Sequence, residues 1–363
     1  MNTILSPYTK GKLHLKNRLV MAPMTRSRAV DNIPNDLMAE YYGQRSGAGL
    51  IITEGTAPMP EGLGYPRIPG VFSAEQVAGW KNVTAAVHAN GSQFFLQLMH
   101  TGRIGHQLNL PEGKEVVGAS SIKAAGAIYT DKGGLQDYPV PMPLTTEGVK
   151  DVIRGHVAAA EHAIEAGFDG VELHGANGYL IEQFLNPNVN TRTDEYGGTI
   201  ERRAKFAVEM AKRVAESIGK EKVGIRFSPY NPFGDMQPYP EAEVFETYRY
   251  LAQEMEKIGI AYLHIAVSAQ VPQKALDAIR TAFTGTIIHC NGFTPETAEA
   301  ALNNGVADLV AFGKAYLANP DLDKRIAGKQ SLNKPDPATL YTSGAKGYVD
   351  YPVHTENELS CLR

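Results

Sequence analysis

The chain is 363 residues long, 43% hydrophobic, with a formal charge of −4. That length leaves room for two ordinary domains or one large α/β barrel, and such mild acidity exerts no pull toward nucleic acid or an anionic membrane. Cys290 and Cys361 are too few for a disulfide framework or a cysteine-bound cluster, and without a leader pattern at Met1 or an apolar run near ~18 residues a cytoplasmic protein is expected.

Taken in order, residues 18–22 read as a strand stopped by Pro23, and 36–45 as a helix ended by Gly47 and Gly49. Residues 50–53 form a bare apolar run, as in a strand covered on both faces. Helix 74–90 places Val77, Trp80, Val83 and Val87 on one face, and 94–98 is the third strand. Residues 102–143 have little period and are expected to be an excursion. Thr145 or Thr146 caps a helix whose Val149, Val152, Ile153, Val157, Ala160 and Ile164 keep helical spacing. Residues 170–173 make the fourth strand. Thr199 opens a helix with Phe206, Met210, Val214 and Ile218 four apart, and 222–227 follow as the fifth strand. Pro240 sits near the start of the next helix, 260–265 are the sixth strand, and a helix follows over about 274–283. Residues 287–290 are the seventh strand, Thr294-Pro-Glu starts a helix that Gly305 stops, and 309–312 are the eighth strand.

Strands and helices in this alternation predict an α/β fold, a single-domain (β/α)8 TIM barrel over residues 1–352, with 353–363 as a mobile tail. A doubly wound open sheet is the competing architecture. It would carry a glycine fingerprint after the first strand, and Met21-Ala-Pro-Met-Thr25 has none.

In such a barrel the chemistry lies where the strands end. The polar residues there are Thr25, Glu54 and Gly55, Gln97 and His100, Arg226, His264, Asn291 and Gly292, and Gly313 and Lys314. The densest set follows the fourth strand. His174, Asn177 and Tyr179 bring an imidazole, a carboxamide and a phenol, with Gly175 and Gly178 letting the backbone bend between them. Three such donors suit a site that grips an oxygen and delivers a proton. Asn291–Gly292 and Gly313–Lys314 sit where this fold often binds a phosphate. His264 and His289 lie within strands and read as core histidines, and His156 and His162 have no metal-ligand spacing.

The motifs Asn17-Arg-Leu-Val-Met-Ala-Pro-Met-Thr25, Gln97-Leu-Met-His-Thr-Gly-Arg103 and His174-Gly-Ala-Asn-Gly-Tyr-Leu-Ile-Glu-Gln-Phe-Leu-Asn-Pro187 carry a resemblance over nearly the whole chain. Asn190-Thr-Arg-Thr-Asp-Glu-Tyr-Gly-Gly-Thr-Ile-Glu-Arg-Arg203, Phe312-Gly-Lys-Ala315 and Gly347-Tyr-Val-Asp-Tyr-Pro352 extend it. The sequence resembles the old yellow enzyme family of FMN-dependent ene-reductases. The resemblance implies FMN across the barrel mouth, with NADPH or NADH as hydride donor. It implies ping-pong reduction of the activated C=C bond of α,β-unsaturated carbonyl compounds. Matching positions imply that Pro23, Met24, Thr25 and Gly55 border the cofactor, Thr25 near flavin N5. Gln97 would hold the pyrimidine edge and Arg226 would stand by N1 and O2. Asn291, Gly292, Gly313 and Lys314 would hold the phosphate. His174 and Asn177 would bind the substrate oxygen, Tyr179 would give the proton as an ordinary phenol, and Tyr65 and Tyr341 would line the pocket.

The partner implied is a small enone-type molecule, with no nucleic acid, membrane or metal, and a monomer or homodimer. Met99 and Lys314 depart from members that carry tryptophan and arginine there, giving a softer wall and a point charge instead of a fork. A cofactor-free isomerase or aldolase would use the same phosphate site but expects a lysine or carboxylate base at a strand end. An iron–sulfur flavin reductase needs a cysteine cluster. A binding protein would have no use for the His-Asn-Tyr set.

Overall fold

A computed structural model describes residues 3–354. Eight parallel strands close into a barrel. They are β1 (Leu19–Met21), β2 (Leu50–Ile52), β3 (Gln93–Leu98), β4 (Gly170–Gly175), β5 (Val223–Phe227), β6 (Tyr262–Ala266), β7 (Thr286–Cys290) and β8 (Leu309–Phe312). Neighbours in sequence are neighbours in the sheet, and β8 returns to β1. The large helices between them are α1 (Asp36–Gln44), α2 (Ala74–His88), α3 (Thr146–Glu165), α5 (Ile200–Ile218), α6 (Glu241–Ile258), α7 (Gln273–Ala282) and α8 (Pro295–Asn303). Among the described residues, none of the helices is long and apolar enough to cross a membrane.

The helix starts follow local chemistry. Thr145 accepts the Gly148 N–H, Thr199 the Arg202 N–H, and Ser73 and Thr294 each close a reciprocal capping box. Such caps contribute roughly 1 kcal/mol apiece. Strand residues bury on both sides, with β5, β6 and β7 covered throughout. One core lies between barrel and helices, from Trp80 and Phe168 round to Phe206, Leu251 and Ile279. A second fills the barrel with Val20, Leu50, Phe95, Tyr262, Ile288 and Leu309.

Several elements lay outside the sequence expectation. A hairpin, Tyr8–Lys10 with Leu13–Leu15, joins the barrel-filling core through Tyr8, Leu13 and Leu15. Lys10 Nζ reaches the carbonyls of Thr284 and Gly285 just before β7, so the hairpin covers the N-terminal end of the strands. Within residues 102–143, which the sequence left without a period, lie a hairpin, Ala127–Thr130 with Gly134–Asp137, and a short pairing of Val117–Gly118 with Met142–Pro143. Three short helices also appear: α4 (Leu180–Leu185), α9 (Lys314–Ala318) and α10 (Leu322–Ala327).

Two ties join segments distant in sequence. Arg192 forks onto Asp194, and the Thr146 hydroxyl donates to the same carboxylate at 2.7 Å, pinning the segment before α5 to the start of α3. Arg26, Arg28 and Arg45 are buried and donate to carbonyls far along the chain, including those of Gly347, Lys346 and Tyr348. The Tyr348 ring stacks on Tyr41 with centroids 4.0 Å apart. Of the expected tail, the His354 N–H donates to Asp321 Oδ2 at 2.7 Å, and residues 355–363 lie outside the described residues.

Candidate active site

β4 runs to Gly175, past the end at 173 that the sequence suggested, because its pairing with β5 continues through His174–Arg226 and Gly175–Phe227. The same register sets Arg226 opposite His264 on β6. Three long cationic or imidazole side chains therefore stand level on adjacent strands. All three are buried.

Beyond Gly175 the chain turns through left-handed conformations at Asn177 (φ 58°) and Gly178 (φ 83°). A Cβ on Gly178 would lie 2.7 Å from Gly234 Cα, so a side chain there has no room. The turn fixes each donor. His174 Nδ1 accepts the Ala176 N–H at 3.3 Å, which leaves the ring proton on Nε2. Burial, then the positive charges of Arg226 and His264, hold this imidazole well below its ordinary value, so it is neutral at physiological pH. The Asn177 N–H donates to Ser228 Oγ at 2.8 Å. The Tyr179 hydroxyl lies 3.1 Å from the Tyr65 hydroxyl, and its ring meets His174 edge-on at 4.9 Å. Tyr179 is not the ordinary phenol expected. Burial pushes it up to about 12, against the lowering effect of the Tyr65 hydrogen bond.

A cavity of about 430 Å³ opens over these groups, with Tyr65, Ile104, Tyr138 and Phe233 around Asn177, Tyr179, Arg226 and Asn291. Tyr65 is thus a wall of the cavity. Tyr341, expected to line the pocket, is 62% exposed and is not part of the cavity wall, although it is close enough to affect Tyr179 electrostatically. Ile104, Tyr138 and Phe233 escaped the sequence reading because they come from irregular segments. A wider groove between α3 and α5, about 690 Å³, is lined by Lys150, Arg154, Glu161 and Lys212 and holds none of the strand-end residues.

Beneath the cavity the polar groups are chained. Gln97 Nε2 donates to Glu172 Oε1 at 2.8 Å, and Glu172 Oε2 meets His264 Nδ1 at 2.8 Å. Gln97 is thereby oriented by the core, and its amide oxygen is the end available to an N–H donor. Burial would lower the His264 pKa, but Glu172 and Cys290 raise it to about 9. His264 is a core histidine, as expected, in an ion pair, while His289 is buried and lowered to about 4, first by burial and then by His264. Glu172 was missed, although a carboxylate within the apolar run Val171–Leu173 was the available signal. Arg226 Nη2 donates to Cys290 Sγ at 3.3 Å, while its Nε is buried without a partner. Burial pushes the Cys290 thiol up, and Arg226 and His264 pull it down to about 7.

The remaining strand ends frame this floor. Pro23, Met24 and Thr25 are half-buried after β1. The next residue is anchored, with the Arg26 N–H donating to buried Glu54 at 3.0 Å. Burial raises Glu54 to about 7 against the donors facing it. Gly55 packs under the Met99 side chain. Asn291 (φ 83°) and Gly292 (φ 72°) form a left-handed pair after β7, and a Cβ at Gly292 would meet nothing within 4 Å. Gly313 is half-buried beside Met24, and exposed Lys314 begins α9. FMN fits this set. The orphaned Arg226 Nε and the Gln97 oxygen match a pyrimidine edge, and the open backbone at Gly292 with Lys314 matches a phosphate.

The model of the NADH:flavin oxidoreductase / NADH oxidase family matches residues 3–333. A probable flavin mononucleotide-dependent alkene reductase of Leishmania infantum is 41% identical over 361 residues, 97% of this chain and 98% of that one. The 12-oxophytodienoate reductase 7 of Oryza sativa subsp. japonica is 37% identical over 372 residues, 96% of this chain and 94% of the relative. Morphinone reductase has the same fold, with a TM-score of 0.93 and 40% identity over 98% of this chain and 97% of its own. A structure of morphinone reductase in complex with tetrahydroNAD, 41% identical, aligns equally well, at a TM-score of 0.93 over 98% of each chain. With likeness running from the first barrel strand to the last, the chain belongs to the NADH:flavin oxidoreductase / NADH oxidase family and is an FMN-dependent oxidoreductase of the old yellow enzyme type.

Proposed function

We propose that the protein is an ene-reductase that takes hydride from NADPH or NADH and reduces the activated C=C bond of α,β-unsaturated carbonyl compounds, with His174, Asn177 and Tyr179 handling the substrate. The observation that carries this reading is the neutral His174, whose Nδ1 is committed to the backbone and whose Nε2 is a donor beside Asn177. FMN, when bound, supplies the hydride.

The chain's own groups do the rest. His174 Nε2–H and the Asn177 amide donate to the substrate oxygen. Negative charge builds on that oxygen as the C=C bond accepts hydride, so both bonds strengthen in the transition state. One such donor in a dry site supplies roughly 3 kcal/mol. Tyr179 carries its proton at working pH and gives it to the carbon next to the carbonyl, and the neighbouring Tyr65 hydroxyl steadies it. Arg226 would set a fixed positive charge against the pyrimidine edge of bound FMN. Tyr65, Tyr138 and Phe233 line the cavity and sort substrates by shape.

The test is direct. Holoenzyme reduced without air and mixed with 2-cyclohexenone is expected to be reoxidised, yielding cyclohexanone in equal amount. Reoxidation no faster with the enone than with cyclohexanone itself would overturn the reading.

A further inference from the structure

The substrate turn rests on a buried carboxylate that the chemistry above does not use. Glu182, on α4, is 4% exposed. Its Oε2 accepts the Gly178 N–H at 2.5 Å and Asn231 Nδ2 at 2.9 Å. Its Oε1 accepts the Ser228 hydroxyl at 2.9 Å and the Tyr248 hydroxyl at 3.2 Å. Ser228 Oγ in turn accepts the Asn177 N–H. One side chain therefore holds the turn twice, directly at Gly178 and through Ser228 at Asn177. Tyr179, the N-cap of α4, has no capping bond from its own side chain, so the reach back from Glu182 is what fixes the start of that helix.

We infer that Glu182 is a positioning residue for substrate binding: its carboxylate, as an acceptor of four hydrogen bonds, sets where Asn177 and Tyr179 stand over the cavity. The inference rests on the substrate-oxygen reading of His174 and Asn177. Its physical content lies in the donors. The Gly178 and Asn231 N–H groups point at Oε2 and cannot turn away without moving the backbone or the loop after β5. The two hydroxyls on Oε1 can rotate. A glutamine can therefore present its oxygen to the fixed N–H pair and its NH2 to the hydroxyl oxygens, with Tyr248 free to donate to the Ser228 carbonyl at 3.4 Å. A methionine of similar length leaves the buried Gly178 N–H without an acceptor and takes one of two from the half-buried Asn231 amide, which keeps the Phe233 carbonyl, and the turn relaxes.

The experiment uses holoenzyme and 4-chlorophenol, read by the long-wavelength absorbance of a phenolate stacked on oxidised flavin. Asn177→Ala is the control for the site itself. Glu182→Met is expected to weaken phenol binding tenfold or more with FMN content unchanged, and Glu182→Gln to stay within threefold of the parent. Parent-like affinity in Glu182→Met overturns the inference. So does a Glu182→Gln variant as weak as Glu182→Met, because charge and not acceptor geometry would then be at work. If Glu182→Met does not fold, Ser228→Ala removes only the bridge to Asn177. That variant is expected to weaken binding threefold or more, and unchanged affinity again overturns the inference. Should Asn177→Ala itself bind normally, the substrate-oxygen reading fails; if only the Glu182 and Ser228 variants do, that reading stands and the positioning role falls.

Discussion

One nitrogen of His174 is spent on the protein's own backbone, and that expenditure decides what the other can do. With Nδ1 accepting from Ala176, a neutral ring has its proton on Nε2 and is a donor at every pH at which the protein is folded and the ring uncharged. His174→Ala and Asn177→Ala are each expected to weaken phenol and enone binding about tenfold, the scale of one lost hydrogen bond in a dry site. FMN should remain bound, which absorbance after gel filtration checks. Tyr179 is raised to about 12, so it keeps its proton throughout the usable range. Enone-driven reoxidation should therefore show no loss between about pH 6 and 10 from ionisation of this phenol. Tyr179→Phe should slow that half-reaction by about 10- to 100-fold, the range of general-acid catalysis, while reduction by NADPH stays within about twofold. Stopped-flow measurement of the two half-reactions separates them.

The turn after β4 works because two successive residues adopt a backbone that most side chains resist. Gly178→Ala combines that strain with a backbone contact at Gly234. It should cost about 1–3 kcal/mol of stability and lower the melting temperature of the holoenzyme. The element pattern was largely readable. Bare apolar runs at Leu50–Ile52 and Leu309–Phe312, and threonines ahead of amphipathic stretches, announce strands and helices through local chemistry alone. The His174–Tyr179 set was readable because its glycines and donors are contiguous. The excursion was not, since in the hairpin of Ala127–Thr130 with Gly134–Asp137 burial alternates but apolar Tyr129 and Leu135 face out while Thr130 is buried, so hydrophobicity does not trace the alternation. Phe233 and Tyr138 reach the site only through the path of their loops, which packing settles and spacing does not, whereas Ser228 follows β5 directly and was legible as a strand-end residue. Gln97 was legible as a strand-end residue, but its anchoring by Glu172 is a cross-strand contact that only the register of β3 with β4 reveals.

The barrel as a whole divides its labour. One end is stoppered by the hairpin at Tyr8–Leu15 and serves stability; the other gathers the donors and the cavity. Stability against acid is a property of the whole molecule, and Asp194 contributes to it. The Arg192 fork, with help from Thr146 and the Tyr196 N–H, holds this carboxyl below the usual range despite partial burial. A depressed carboxyl adds stability that is fully present above its unfolded value near 3.8 and is lost as pH falls below that. Asp194→Asn should therefore lower the melting temperature at neutral pH and flatten its fall between about pH 5 and 2. Thermal scans across that range check it.

The stack of Tyr348 on Tyr41, with buried arginines from the loop after β1 and from the C-terminal cap of α1 holding carbonyls near residue 347, joins early sequence to late. On the ribosome those arginines emerge about three hundred residues before their acceptors. β1 likewise waits for β8. The nascent chain carries three guanidinium groups solvated by water in place of their late acceptors, and an open sheet edge, through most of translation. Closure of the ring and locking of the Thr25 loop then come together, as a late step, and a chain stalled before Tyr348 is left without either the clamp or a settled cofactor rim.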